Sequence, residues 1–226
     1  MLDPERIKTL IDPWTPRGTY EIRRAAVYQF HAATAAKWRV GNVFLAGDAA
    51  HQTPPFLGQG MNAGMRDVIN FAWKLALVCQ GVAEDKLLDS YETERTAHAT
   101  DLVEWAVAIG HLMEHQAAIE LAQRQGKSLP KTPASLKSSG YGQGRESPPI
   151  RAGVLQLDQI SDKGSTGYLF SQPIVTTSGG HTCKLDALLG PGFALVYRGD
   201  LSLNEHSAEI VSRLNIKRLN IEKLNE

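Results

Sequence analysis

The chain has 226 residues, 42% of them hydrophobic, with 24 Lys+Arg against 24 Asp+Glu. That is enough apolar content for one large domain or two small ones, and zero net charge argues against a nucleic-acid partner or an anionic membrane surface. No apolar run approaches the roughly 20 residues of a membrane span, and the opening MLDPERIKTL has no signal-peptide architecture, so a cytoplasmic protein is expected.

In chain order, Asp3 followed by Pro4 predicts a helix N-terminus, with Pro13 as its limit. TYEIRRAAVYQFHAA prefers an extended strand, with Tyr28 and Phe30 on one face and Val27, Gln29 and His31 on the other. Gly41-Asn42 predicts a turn, and Val43-Phe44-Leu45-Ala46 a short strand without alternation, hence buried on both faces. From Met61 to Gln80 the positions Met61, Met65, Val68, Ala72, Leu75 and Val78 recur at helical spacing, and Gly81 is a natural stop. Met61 and Met65 read as core, and Trp73, Leu75 and Leu77 as helix packing.

A second helical region runs from about Glu84 to Gln125, with a break expected near Gly110. Residues 127–153 are rich in Pro, Gly and Ser and read as a linker loop. Beyond them, GYLFSQPIVTT, HTCKL and FALVYRG are strand candidates, SGGH is a hairpin turn, and NEHSAEIVSRLN is a helix starting near Asn204. The charged C-terminus IKRLNIEKLNE reads as frayed. Cys79 and Cys183 stand in no CxxC pattern and read as buried reduced thiols. The pattern as a whole is α/β, an α+β mix.

The densest chemistry lies in FLAGDAAHQTPPFLGQGMNAGMRD, Phe44 to Asp67. Asp48 ends a strand candidate, and its carboxylate can accept hydrogen bonds from vicinal hydroxyls. Pro54-Pro55 fixes the backbone, and Gly58 and Gly60 let the chain approach a ligand closely. Met61 and Asn62 open a helix whose free N–H groups favour a partly negative oxygen. Hydroxyls at one end and an electron-accepting carbonyl-bearing ring at the other describe a flavin with its ribityl chain.

GDAAHQTPPFLGQGMNAGMRDVINFAWKLALV resembles the second flavin-contacting motif of the class A FAD-dependent aromatic hydroxylases, of the 3-(3-hydroxyphenyl)propionate hydroxylase type. The resemblance continues through LLDSYETER, and YLFSQPIV with LDALLGPGFALVYRG is similar to that group's thioredoxin-like C-terminal domain. It implies that Asp48 binds the ribityl hydroxyls, with Gly47 beside it. Pro55 would lie next to the reactive edge of the isoalloxazine as the catalytic positioning residue. Gly58, Gln59, Gly60, Met61 and Asn62 would form the segment whose amides meet the flavin N1/O2 side. Tyr28 and Phe30 would help line the substrate site.

The implied reaction uses FAD, NADH or NADPH as reductant, and O2 to hydroxylate a small phenolic substrate, with no metal. The implied organisation is a partial FAD- and substrate-binding domain over 1–126, a linker over 127–153 and a thioredoxin-like domain over 154–226. A strand–GxGxxG–helix unit for the ADP half of FAD is not in this sequence; Gly140-Tyr-Gly-Gln-Gly144 sits in a Ser/Pro-rich loop. The middle Asp-Gly motif of the family is not in it either. The chain therefore reads as the C-terminal portion of a hydroxylase, partnered by an N-terminal half or a second subunit. The alternative is a non-catalytic remnant or subunit-interaction module that does not retain FAD by itself. His51 reads as a hydrogen-bonded structural residue, Arg66-Asp67 as a solvated or locally paired helix face, and His111 and His115 as surface histidines without a third ligand.

Overall fold

Asp3 accepts a hydrogen bond from the Glu5 amide and starts helix α1, Pro4–Ile11, which ends ahead of Pro13 as its sequence predicts. The computed structural model describes residues 3–16, 18–133, 148–155 and 166–225. The chain divides into two compact units, Met1–Tyr168 and Leu169–Glu226.

In the first unit the strand expected across Thr19 to Ala33 does not form. Residues 20–32 carry no regular secondary structure, and only Ala33–Thr34 (β1) pairs, antiparallel, with His51–Gln52 (β4). A strand needs a partner for its N–H and C=O groups, and among the described residues 20–32 have none in a ladder. The Gly41-Asn42 turn is present: Arg39–Val40 (β2) and Val43–Phe44 (β3) form a hairpin, with Gly41 at φ 58°. The apolar run after it is not buried on both faces, because Val43 is 67% exposed. Phe44 and Leu45 instead lie partly buried against a core of Trp38, Ala50, Tyr91 and Ala99. Phe71 bridges this group, 4.5 Å from Phe44 and 5.0 Å from Tyr91 between ring centroids.

Helix α2, Gly60–Cys79, matches its predicted extent and stops before Gly81, whose φ is 70°. Its orientation reverses the expectation. The buried residues are Ala63, Asp67 and Lys74, whereas Met61 is 77% and Met65 54% exposed. Val68, Ile69 and Leu75 are exposed as well, and so is Cys79, which is not the buried thiol expected. The face of α2 that carries the charges packs on helix α3, Asp89–Arg124. That helix runs unbroken through Gly110, where a break was expected. Gly110 is buried beneath the Phe56 ring; a Cβ there would stand 2.6 Å from Phe56 Cε2.

After α3 the predicted linker lies partly outside the described residues, Gly140–Gly144 included. Where the chain is described again, Val154 N–H donates to Glu94 Oε1 at 2.9 Å. Gly153, at φ 104°, lies so close that a Cβ would stand 2.2 Å from Glu94 Cγ. Glu94 also accepts from Lys74 Nζ at 2.7 Å and from Asn70 Nδ2 at 2.5 Å, so Lys74 is buried with a counter-charge.

In the second unit, Ile174–Thr177 (β5) and Thr182–Lys184 (β6) form the predicted antiparallel hairpin. A short helix α4, Leu185–Leu189, follows. Ala194–Tyr197 (β7) and Lys217–Asn220 (β8) pair in parallel, with helix α5, Glu205–Arg213, between them in sequence. Asn204 caps α5 by accepting from Ser207 N–H at 2.8 Å. The C-terminus is not frayed: after β8 the Asn220 side chain accepts from Glu222 N–H and starts a turn, and Leu224–Asn225 (β9) adds to β5. Cys183 lies on β6, partly buried, and both cysteines are free. Among the described residues no helix is long and apolar enough to cross a membrane.

Candidate functional site

The stretch Gly47 to Asn62 folds as two tight turns leading into α2. The first, Gly47–Ala49, opens at Gly47 with φ 57° and closes through Ala50 N–H to Gly47 O at 2.8 Å. It leaves the Asp48 side chain exposed. The second, Pro55–Leu57, starts after the extended Pro54 and closes through Gly58, left-handed at φ 61°. Pro55 is exposed, and a Cβ at Gly58 or Gly60 would meet nothing within 4 Å. The backbone is thus bare where a ligand could approach it.

Helix α2 begins at Gly60 without a side-chain cap, and no acidic residue stands in its first turn. Gln59 Oε1 is engaged by Asn62 Nδ2 at 3.4 Å rather than by a backbone amide. The first amides of a helix have no intrahelical acceptor, so those of Gly60, Met61 and Asn62 are open at its positive end. Farther along α2 an open groove of about 450 Å³ is lined by Ala46, Gly47, Gly64, Met65, Val68 and Ile69. Of the residues singled out in the sequence, Gly47 and Asp48 lie on one turn, Pro55 on the other, and Gly58 to Asn62 at the helix start. Tyr28 and Phe30 lie on the irregular stretch and are 62% and 55% exposed.

What holds the first turn is a buried ionic group that sequence reasoning missed. Asp67, fully buried, accepts from Gly47 N–H at 3.0 Å and from His51 Nε2 at 2.7 Å on one oxygen. Its other oxygen accepts from Arg95 Nε at 2.8 Å. Burial alone would raise the Asp67 carboxyl, but the hydrogen bonds from His51 and Arg95, with the Arg95 charge and the Gly47 amide, hold it below its usual range. With Asp67 ionised, His51 carries its proton on Nε2, and Trp38 stacks on the imidazole at 5.4 Å. Of the two readings of Arg66-Asp67, solvated or locally paired, Asp67 is the paired one, though with partners distant in sequence, and His51 is the structural histidine expected. Gly64 completes the contact: its missing Cβ would stand 3.3 Å from Gly47 Cα, so loop and helix backbones touch.

A signal for this group was available. Asp67, Asn70 and Lys74 are spaced along one stripe of α2, opposite the apolar one. Nearby, His98 on α3 is 4% exposed; burial, then the Arg95 and Arg66 charges, push its pKa down to about 4. Among the described residues, no group of three or more His, Cys, Asp or Glu is placed to hold a metal ion.

Residues 5–106 match the family described as FAD binding domain. The chain is 36% identical over 200 residues to the 3-(3-hydroxy-phenyl)propionate/3-hydroxycinnamic acid hydroxylase of Klebsiella pneumoniae (strain 342), a match covering 86% of this chain and 36% of that protein. The hydroxylase of the same name from Escherichia coli (strain K12) is 35% identical with the same coverage. The chain thus spans about a third of the length of these curated relatives. Among solved structures it is similar to aklavinone-11 hydroxylase in a ternary complex with FAD and aklavinone. There the TM-score is 0.58 and the identity 27%, over 88% of this chain and 37% of that one. RebC-10x, soaked with chromopyrrolic acid, shares the fold with a TM-score of 0.66 at 22% identity, over 97% of this chain and 44% of that one.

Proposed function

We propose, from the match of residues 5–106 to the family described as FAD binding domain, that this chain forms the isoalloxazine side of the FAD site of an aromatic hydroxylase. The observation that carries the reading is the uncapped start of α2 with Asp48 exposed beside it. In this reading the amides of Gly60, Met61 and Asn62 receive the electron-rich pyrimidine edge of the flavin. Asp48 accepts hydrogen bonds from the ribityl hydroxyls. Pro55, held by its turn, stands at the reactive edge of the ring system, and Gly58 and Gly60 leave room for it. Bound flavin would supply the redox chemistry, with NADH or NADPH as the two-electron reductant and O2 giving one oxygen atom to a phenolic ring and the other to water. The protein's part is to orient the ring and to stabilise negative charge at one edge of it.

The ADP half of the cofactor needs a phosphate-binding unit, and the sequence carries no strand–GxGxxG–helix motif for one. We assign it to protein outside this sequence, an N-terminal half or a partner chain. The exposed apolar stripe Met61, Met65, Val68 and Ile69 gives such a unit a surface to cover. The Leu169–Glu226 unit, with a hairpin and a parallel β7–α5–β8 segment, fits a thioredoxin-like domain. It is inert in dithiol exchange, since Cys183 is its single thiol. Its role in this reading is packing against protein.

Titration calorimetry tests the proposal. The chain alone is expected to bind FAD weakly or not at all, and with a GxGxxG-bearing half of a related hydroxylase added, tightly. In the completed site Asp48→Ala removes hydrogen bonds to a charged acceptor, worth roughly 1.5–3 kcal/mol each, so affinity falls about tenfold or more. Unchanged flavin retention in that variant would mean the motif has been misread.

A further inference from the structure

We propose that Asp67 is a positioning residue for the flavin-binding turn: its buried carboxylate, fixed by Arg95 and His51, fastens Gly47 and so sets where Asp48 points. This rests on the proposed FAD site and deepens it.

Asp67 sits one helical turn beyond Ala63 and faces away from the exposed apolar stripe of α2. Its partners come from three different parts of the chain: the Gly47 amide from the turn, the His51 ring from β4, and the Arg95 guanidinium from α3. Arg95, 2% exposed, is tied a second time to α2 through the Ala63 carbonyl at 3.4 Å. The turn Gly47–Ala49 is therefore gripped at its first residue by Asp67, and two residues beyond its end His51 is gripped by the same carboxylate oxygen. Asp48 lies between these two anchors with its side chain exposed.

A carboxylate with three donors has little freedom to rotate, because any turn of the side chain breaks a charge-assisted bond in a buried setting. The Gly47–Gly64 backbone contact leaves no slack either, since there is no side chain between loop and helix to deform. The first turn of α2 and the Asp48 turn are thereby locked as one piece. These are the two elements that the proposed site uses to hold opposite ends of one ligand. The depressed pKa of Asp67 agrees with a carboxylate that stays charged in this role.

The test uses the full ¹⁵N-labelled chain, with FAD as probe and amide shifts as readout, so that weak binding is measurable. In Asp67→Asn the Gly47 amide is expected to lose its protection from hydrogen exchange, while amides in the middle of α3 keep theirs. FAD affinity should fall about tenfold, and the double variant Asp48→Ala/Asp67→Asn should bind no more weakly than Asp48→Ala alone, since both act through one contact. Arg95→Lys, which keeps the charge but not the Nε geometry, should loosen the Gly47 amide less. Additive losses in the double variant, or a Gly47 amide as protected in Asp67→Asn as before, overturn the proposal. A wild-type chain with no FAD-induced shift between Gly47 and Asn62 even after a GxGxxG-bearing half of a related hydroxylase is added overturns the flavin reading instead. The exchange measurement then decides alone whether Asp67 holds the turn.

Discussion

Helices α2 and α5 solve the same problem in opposite ways. Helix α5 begins on Asn204, which caps the Ser207 amide, and it buries Val211 while its charges face water. Helix α2 begins on Gln59, which caps nothing, buries Asp67 and Lys74, and leaves its methionines outside. The ordinary arrangement is self-sufficient: the cap satisfies the helix end and the apolar side supplies packing. The reversed one costs stability at both points, and its open amides and apolar stripe are what a ligand and a covering protein would use. In the proposed reading, the contrast separates a helix that serves the fold from one that serves a site.

The largest effect should come from the charges that let α2 turn inside out. Arg95→Met leaves Asp67 buried without its cation, which costs about 3–5 kcal/mol. Urea denaturation of the first unit should show a midpoint far below that of the wild type, whereas the second unit should unfold as before. An effect below about 1 kcal/mol would mean that α2 does not depend on this pair.

Next comes pH. His98 has an ordinary value of 6.5 and is held down at about 4 in the fold. Between those values the unfolded chain binds a proton that the folded chain does not, so stability is fully present above the upper one and falls as pH drops towards the lower one. The loss is on the order of 2–3 kcal/mol. Asp67, an acid with its pKa lowered from 3.8, adds a loss in the same direction, but only as pH falls through and below that value. Unfolding midpoints at steps from about pH 7 to about pH 4.5 check this, and His98→Gln should flatten the decline.

The smallest effect is the sharpest on the comparison itself. Asn204→Ala should cost about 1 kcal/mol in the second unit. Gln59→Ala, at the matching position of α2, should change stability by less than about 0.5 kcal/mol. Differential scanning calorimetry that resolves the two units reads both. Equal costs would remove the contrast between a capped and an open helix start.

The sequence was a good guide wherever structure is local. The Asp3–Pro4 and Asn204 starts, the Gly41-Asn42 turn and the Gly81 stop each depend on neighbours within a few residues, and all are present. The stretch Pro54 to Asn62 was legible as a rigid turn leading into a helix for the same reason, whereas Asp48, read as the end of a strand, lies in a turn of its own. What could not be read depends on distant partners. Asp67 looks like a surface residue until Arg95, 28 positions on, is placed beside it. Met61 and Met65 look like core because periodicity says which residues share a face, not which face points inward. Residues 20–32 have strand-forming side chains but no ladder partner among the described residues. The C-terminal strands β8 and β9 are too charged to announce themselves and form by pairing with β7 and β5.

The docking of Gly153 against Glu94 bears on the stretch that the chain uses to get there. Helix α3 carries the backbone from Glu94 to Arg124, 30 residues by subtraction, or about 45 Å at 1.5 Å each. The chain then has 29 residues, from 124 to 153, in which to come back to where it was. Fully extended, about 14 residues would cover that distance. Roughly half of the return is therefore surplus length. Closure entropy grows only with the logarithm of loop size, so shortening or lengthening this stretch by several residues changes the cost of the return by a fraction of a kcal/mol. Tolerance to insertion should thus be high over the described residues 127–133 and end abruptly at the residues that meet Glu94.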